Sequence, residues 1–157
     1  MDVCAYNLDN LAAEPIHVIV NRRDTFLELK TNLAIAGEFI IGDGKHDIEI
    51  QIDGLRKSEE DPISYNILAH RKFYYKLCEE KHKYIHVHIR KFKLPVAVKV
   101  HSEDLVSILC KKMHLDPTKV QFIYSACTIP HDIMFKDTNF FLDKYHTIPH
   151  IFANIEE

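Results

Sequence analysis

Glycine is scarce in this chain and confined to its first part. Of 157 residues only four are glycine, and Gly37, Gly42, Gly44 and Gly54 all precede residue 55. There is no phosphate-cradling P-loop and no GxGxxG dinucleotide turn. HExxH and GxSxG are missing too, which removes the zincin proteases and the nucleophile elbow of serine hydrolases. The sequence therefore offers no positive case for an enzyme, and it asks for no cofactor. Cysteine is sparse and dispersed: Cys4, Cys78, Cys110 and Cys127 make no CxxC pair. That pattern is neither a disulfide framework nor a zinc knuckle, and it suits a reducing compartment, the cytoplasm or nucleus. No apolar run approaches the roughly 20 residues that cross a bilayer, so no membrane partner is expected. Residues 1–14 hold acids but neither Lys nor Arg, unlike a secretory or mitochondrial leader.

What is present is the composition of a folded chain, with 46% apolar and 27% charged residues. The net charge of −3 conceals an asymmetry. Residues 1–80 carry nine Lys/Arg against fifteen Asp/Glu; residues 81–157 carry eleven against eight. A change of sign at mid-chain implies two units with different surfaces. The polar stretch Glu79 to Lys83 is the expected joint. Residues 1–14 show no clear period and are expected to form a loose arm, followed by one unit over 15–80 and a second over 81–157.

Periodicity places the elements of the second unit. Ile85, Val87 and Ile89 alternate with polar residues, as do Val96, Val98 and Val100, predicting two half-buried strands joined as a hairpin. Asp104 is the expected N-cap of a helix whose apolar face is Val106, Leu109, Cys110 and Met113. Cys110 is then a small core residue. Pro117 stops the helix. Val120 to Tyr124 is a third strand, a turn follows around Pro130 to Asp132, and a short irregular helix is expected near Phe140. Thr147 to Ile155 reads as the last strand, with the first and last strands parallel at the centre. The first unit repeats the order less clearly. Ile16, Val18 and Val20 predict strand one, Leu27 and Leu29 strand two. Asn32 caps a helix over 33–41 that ends at Gly42 or Gly44, with a buried strand as the competing assignment for that segment. Ile48, Ile50 and Ile52 form strand three, ending at the Asp53-Gly54 turn, and Phe73, Tyr75 and Leu77 the final strand. The fold class is α+β: small mixed sheets, each packed on one helix.

This order, occurring twice, resembles the β-grasp fold of the ubiquitin family. The local match runs over Ser58-Glu59-Glu60-Asp61-Pro62-Ile63-Ser64-Tyr65-Asn66-Ile67. It is similar to the family's acidic turn and short helix with a Tyr-Asn-Ile triplet. The resemblance implies that Tyr65 and Ile67 pin the last strand. In the second unit Asp104 to Met113, Leu115-Asp116-Pro117 and Phe122-Ile123-Tyr124 resemble the family's helix, Pro-containing turn and third strand. The chain resembles two-domain ubiquitin-like modifiers and paired SUMO-like domains. It departs from the modifiers at its end, which reads Ala153-Asn154-Ile155-Glu156-Glu157 where they carry Gly-Gly. A non-conjugated interaction module or adaptor is therefore the expected role, with protein partners from ubiquitin or SUMO pathways or their peptide motifs. A modifier or modifier mimic is the alternative.

The resemblance implies two partner-binding sites. One is a sheet-face patch at Ile123 and Phe152. The other is a groove beside strand two and the helix, lined by Lys99, Lys111 and Lys112, where an extended peptide adds as a strand. His86 and His88 share one side of a strand with His101 expected nearby, but no cysteine or carboxylate pair completes a metal-ligand spacing, so no metal is assigned. Lys81, Lys83, Arg90, Lys91 and Lys93, interleaved with Tyr84 and Phe92, leave nucleic acid as a less favoured partner.

Overall fold

The computed structural model describes residues 1–141 and 148–156. The chain divides into two compact units, Met1–Glu80 and Lys81–Glu157. Each contains a five-stranded mixed sheet with helices, an α+β architecture.

In the first unit the strands are β1 (Asp2–Asn7), β2 (Ile16–Ile19), β3 (His46–Ile52), β4 (Leu55–Arg56) and β5 (Lys72–Glu79), with helices α1 (Phe26–Gly37) and α2 (Tyr65–His70). The sheet order is β2-β1-β5-β3-β4. β1 runs parallel to β5, and every other pair is antiparallel. Three expectations are corrected here, among them the helix expected over 33–41 with an Asn32 cap. Residues 1–14 are not a loose arm throughout: Val3 and Ala5 are fully buried on β1, beside the central strand. Leu27 and Leu29 do not form a strand. Thr25 accepts a hydrogen bond from the Glu28 amide at 3.4 Å and starts α1 there. The true stripe is Phe26, Leu29, Leu33 and Ala34, at helical spacing, while Leu27 is exposed. Burying Phe26, Leu29 and Leu33 contributes about 1.5–3 kcal/mol of transfer free energy each. The helix ends at Glu38, whose amide donates to the Ala34 and Ile35 carbonyls, well before Gly42.

The second unit has β6 (His82–Ile89), β7 (Val96–His101), α3 (Ile108–Met113), β8 (Val120–Tyr124), β9 (Cys127–Ile129), a 3-10 turn at Phe135–Asp137 and β10 (His150–Ile155). Its sheet order is β7-β6-β10-β8-β9, with β6 and β10 parallel. Asp104 does not cap α3, which starts after Ser107; it is buried and accepts the His101 amide at 3.0 Å. The short helical turn falls at Phe135 rather than near Phe140, and Phe140 packs in the core instead. The expected start of the last strand, Thr147, lies outside the described residues.

One device occurs in both units. Asp24 accepts the Asn21 amide at 2.9 Å, and its own carbonyl accepts the Ile63 amide at 3.0 Å. Asp104 does the same with the His101 and Phe135 amides, both at 3.0 Å. Each buried carboxylate closes the turn after the second strand, and each carbonyl ties that turn to the segment entering the short helix. Hydrogen bonding of this kind is what makes a buried carboxylate tolerable.

Candidate functional site

The site follows from strict alternation in three adjacent strands of the second unit. Ile85, Val87 and Ile89 on β6, Ile151 and Ala153 on β10, and Val120 and Phe122 on β8 face the core. Period two then sends His86, His88, His150, Phe152 and Ile123 to the opposite face. The register brings them together: Phe152 lies across from Ile123 on one side and from His88 on the other, and His150 lies across from His86. Phe152 is 57% exposed and Ile123 is half-buried. The Phe152 ring stacks on His88 with centroids 5.0 Å apart. His88 Nε2 and His150 Nδ1 are hydrogen-bonded at 2.7 Å. His86 meets the His150 ring edge-on at 4.8 Å. Its Nδ1 is buried and has no hydrogen-bond partner among the described residues.

Beside this row is a shallow depression of about 400 Å³ lined by His88, Arg90, Phe92, Phe152 and Asn154 among others. Phe92 is 55% exposed and sits on the loop between β6 and β7. Arg90 supplies one cation at the rim. An apolar floor with a charged edge is suited to docking.

The lysine groove is less open than the sequence implies. Lys111 is exposed on α3, but the Lys112 ammonium donates to the backbone carbonyl of Lys99 on β7. β7 is an edge strand, and an added strand needs its backbone acceptors. Lys112 occupies one of them, a way of covering an edge. His101 is not beside His88. It is buried, its Nδ1 accepts the Glu103 amide at 3.0 Å, and its ring contacts His82. Tyr65 does not pin β5, being 81% exposed; Ile67 is fully buried and Asn66 bridges to Asp53 at 3.0 Å instead.

His150 was missed by reading the sequence, and Phe92 was named there only among the basic residues considered for nucleic acid. The alternation His150-Phe152-Asn154 is visible in the chain, but the parallel register that sets His150 against His86 and His88 is not. Burial pushes the Cys110 thiol upward, the reverse of activation. Two of the lysines considered for nucleic acid are engaged: Lys83 donates to the Phe141 carbonyl at 2.5 Å and lies over its ring, and Lys81 pairs with Glu103 at 3.8 Å. Among the described residues no helix is long and apolar enough to cross a membrane.

Comparison with protein-family models and with curated proteins finds no match to this chain.

Proposed function

We propose that the chain is a tandem ubiquitin-like protein, two β-grasp units in series, that acts as an interaction module or adaptor for other proteins. The sheet order, with its parallel central pair, and the Asp24 and Asp104 turns support the repeated β-grasp assignment. The observation that carries the binding role is Phe152, more than half exposed in the middle of a sheet face, directly opposite Ile123. Exposed aromatics in a contiguous patch mark interaction surfaces, and buried aromatics dominate binding energy at such patches. The partner is an apolar protein segment carrying an acidic group to meet Arg90. Four free thiols agree with a cytoplasmic or nuclear setting.

Affinity capture with the intact chain tests this, run in parallel with Phe152→Ala and Ile123→Ala. Proteins retained by the wild type should be lost from both variants, while thermal unfolding stays nearly unchanged. Retention of every captured protein by both variants would remove the patch from the proposal. Thioester formation with an activating enzyme and ATP would favour the modifier reading instead. The engaged Lys81 and Lys83 make nucleic acid the weaker partner.

A further inference from the structure

The geometry points to a transition-metal site on the outer sheet face of the second unit, in which His88 Nε2 and His150 Nδ1 ligate one divalent ion of the Zn²⁺ class. The inference stands on the histidine geometry and does not depend on the docking reading. The two nitrogens are 2.7 Å apart and reach each other from adjacent parallel strands. A hydrogen bond between two neutral imidazoles uses one ring as donor and the other as acceptor. If the donor ring moves its proton to its other nitrogen, both inner nitrogens present lone pairs to the same point. No net proton is released, because each ring keeps one N–H.

The required spacing is close to what is there. With Zn–N distances of about 2.0–2.1 Å and tetrahedral angles, two ligating nitrogens sit about 3.3 Å apart. The pair therefore has to open by only about 0.6 Å, a small rotation of either ring. Both residues lie in the parallel β6–β10 ladder, where His150 is in register with His86 and His88 with Phe152. Ligands on rigid elements lose little freedom on binding. His150 is exposed and His88 half-buried, so the ion has an entry path from solvent. His86 is the third ring of the row. Its buried Nδ1, unpartnered among the described residues, shows a ring whose polar atom gains from reorientation. As the rings stand it does not converge on the other two. Water or a partner's side chain completes the coordination sphere.

Imidazole nitrogen suits Zn²⁺, Ni²⁺ and Cu²⁺, whereas Mg²⁺ and Ca²⁺ require oxygen ligands. The chemistry selects the former group. Imidazole C–H resonances of the full chain are followed by NMR during titration with zinc chloride, and separately with magnesium chloride. The expected result is a saturable, single-site zinc shift of the His88 and His150 signals and no response to magnesium. His150→Gln and His88→Gln should each weaken zinc binding by more than about tenfold, beyond the smallest effects known for second-shell changes. His114→Asn, away from the row, should leave it unaltered. The same spectra report whether each variant is folded. Zinc shifts that fail to saturate, or that persist at full affinity in folded His150→Gln and His88→Gln, would overturn the site.

Discussion

Lys30 and Asp47 meet at 2.8 Å inside the first unit, each only 5% exposed, with Glu59 as a second carboxylate on the same ammonium. Burial alone pulls the lysine's pKa down, but its hydrogen bonds to Asp47 and Glu59 outweigh that, and it ends above its ordinary 10.5. A raised lysine pKa stabilises the fold fully below the unfolded value. That contribution is lost as pH rises through the folded value. The wild-type chain should therefore lose stability in alkali above about pH 10.5 by a component that Lys30→Met lacks. At neutral pH Lys30→Met should cost about 3–5 kcal/mol, because it removes from two carboxylates the ammonium that they bond in the interior. Denaturant unfolding at neutral and alkaline pH measures both effects. A neutral-pH cost near zero would mean that the pair is solvated.

Among the described residues, α1, α2 and α3 each end on a left-handed residue that is not glycine. Glu38, Arg71 and His114 have φ of 57°, 52° and 56°. All three are exposed, so their side chains contribute little packing. Left-handed backbone costs an L-residue about 1–2 kcal/mol, and glycine removes that at an entropic cost of about 0.5–1 kcal/mol. Glu38→Gly, Arg71→Gly and His114→Gly should each stabilise the chain by about 0.5–1 kcal/mol. Equilibrium denaturation decides it, and a loss of stability in all three would contradict the cap geometry.

The same caps explain where the sequence misleads. With glycine so rare, Gly42 and Gly44 look like the natural end of a helix, yet the chain turns at Glu38, a residue with no turn signal of its own. Leu27 and Leu29 satisfy period two by coincidence, while the longer Phe26-Leu29-Leu33 stripe outweighs them once Thr25 provides a start. β1 is hidden because only Val3 and the small Ala5 mark its inner face. By contrast Ile48-Ile50-Ile52 and Ile85-Val87-Ile89 alternate without interruption, and both segments are strands. At the candidate site, Ile123 and Phe152 could be named from the resemblance. His86 and His88 could be paired from their alternation, but His150 could not be added to them, because nothing local in the chain encodes the parallel register that brings β10 to β6.

Phe152 and Phe122 occupy opposite faces of neighbouring strands, and their truncations should separate accordingly. Phe122 is fully buried, so Phe122→Ala should cost about 3–5 kcal/mol. Phe152→Ala removes a half-exposed ring and should cost less than about 1 kcal/mol. Comparable losses from both, read by urea unfolding, would mean that the outer face is covered in solution.

Thiol reactivity offers an independent check on the second core. Cys127 is exposed on β9, whereas Cys110 is 4% exposed on α3 with its thiol pushed upward by burial. Thiolate is the reactive form, so burial and a raised pKa act together to protect Cys110. In the native chain a disulfide-exchange reagent should label Cys127 rapidly, and Cys110 only as fast as the unit opens. Adding urea should bring Cys110 labelling up in step with loss of structure. Fast native labelling of Cys110, with Cys127 no quicker, would mean that α3 does not pack on the sheet through Leu109 and Cys110.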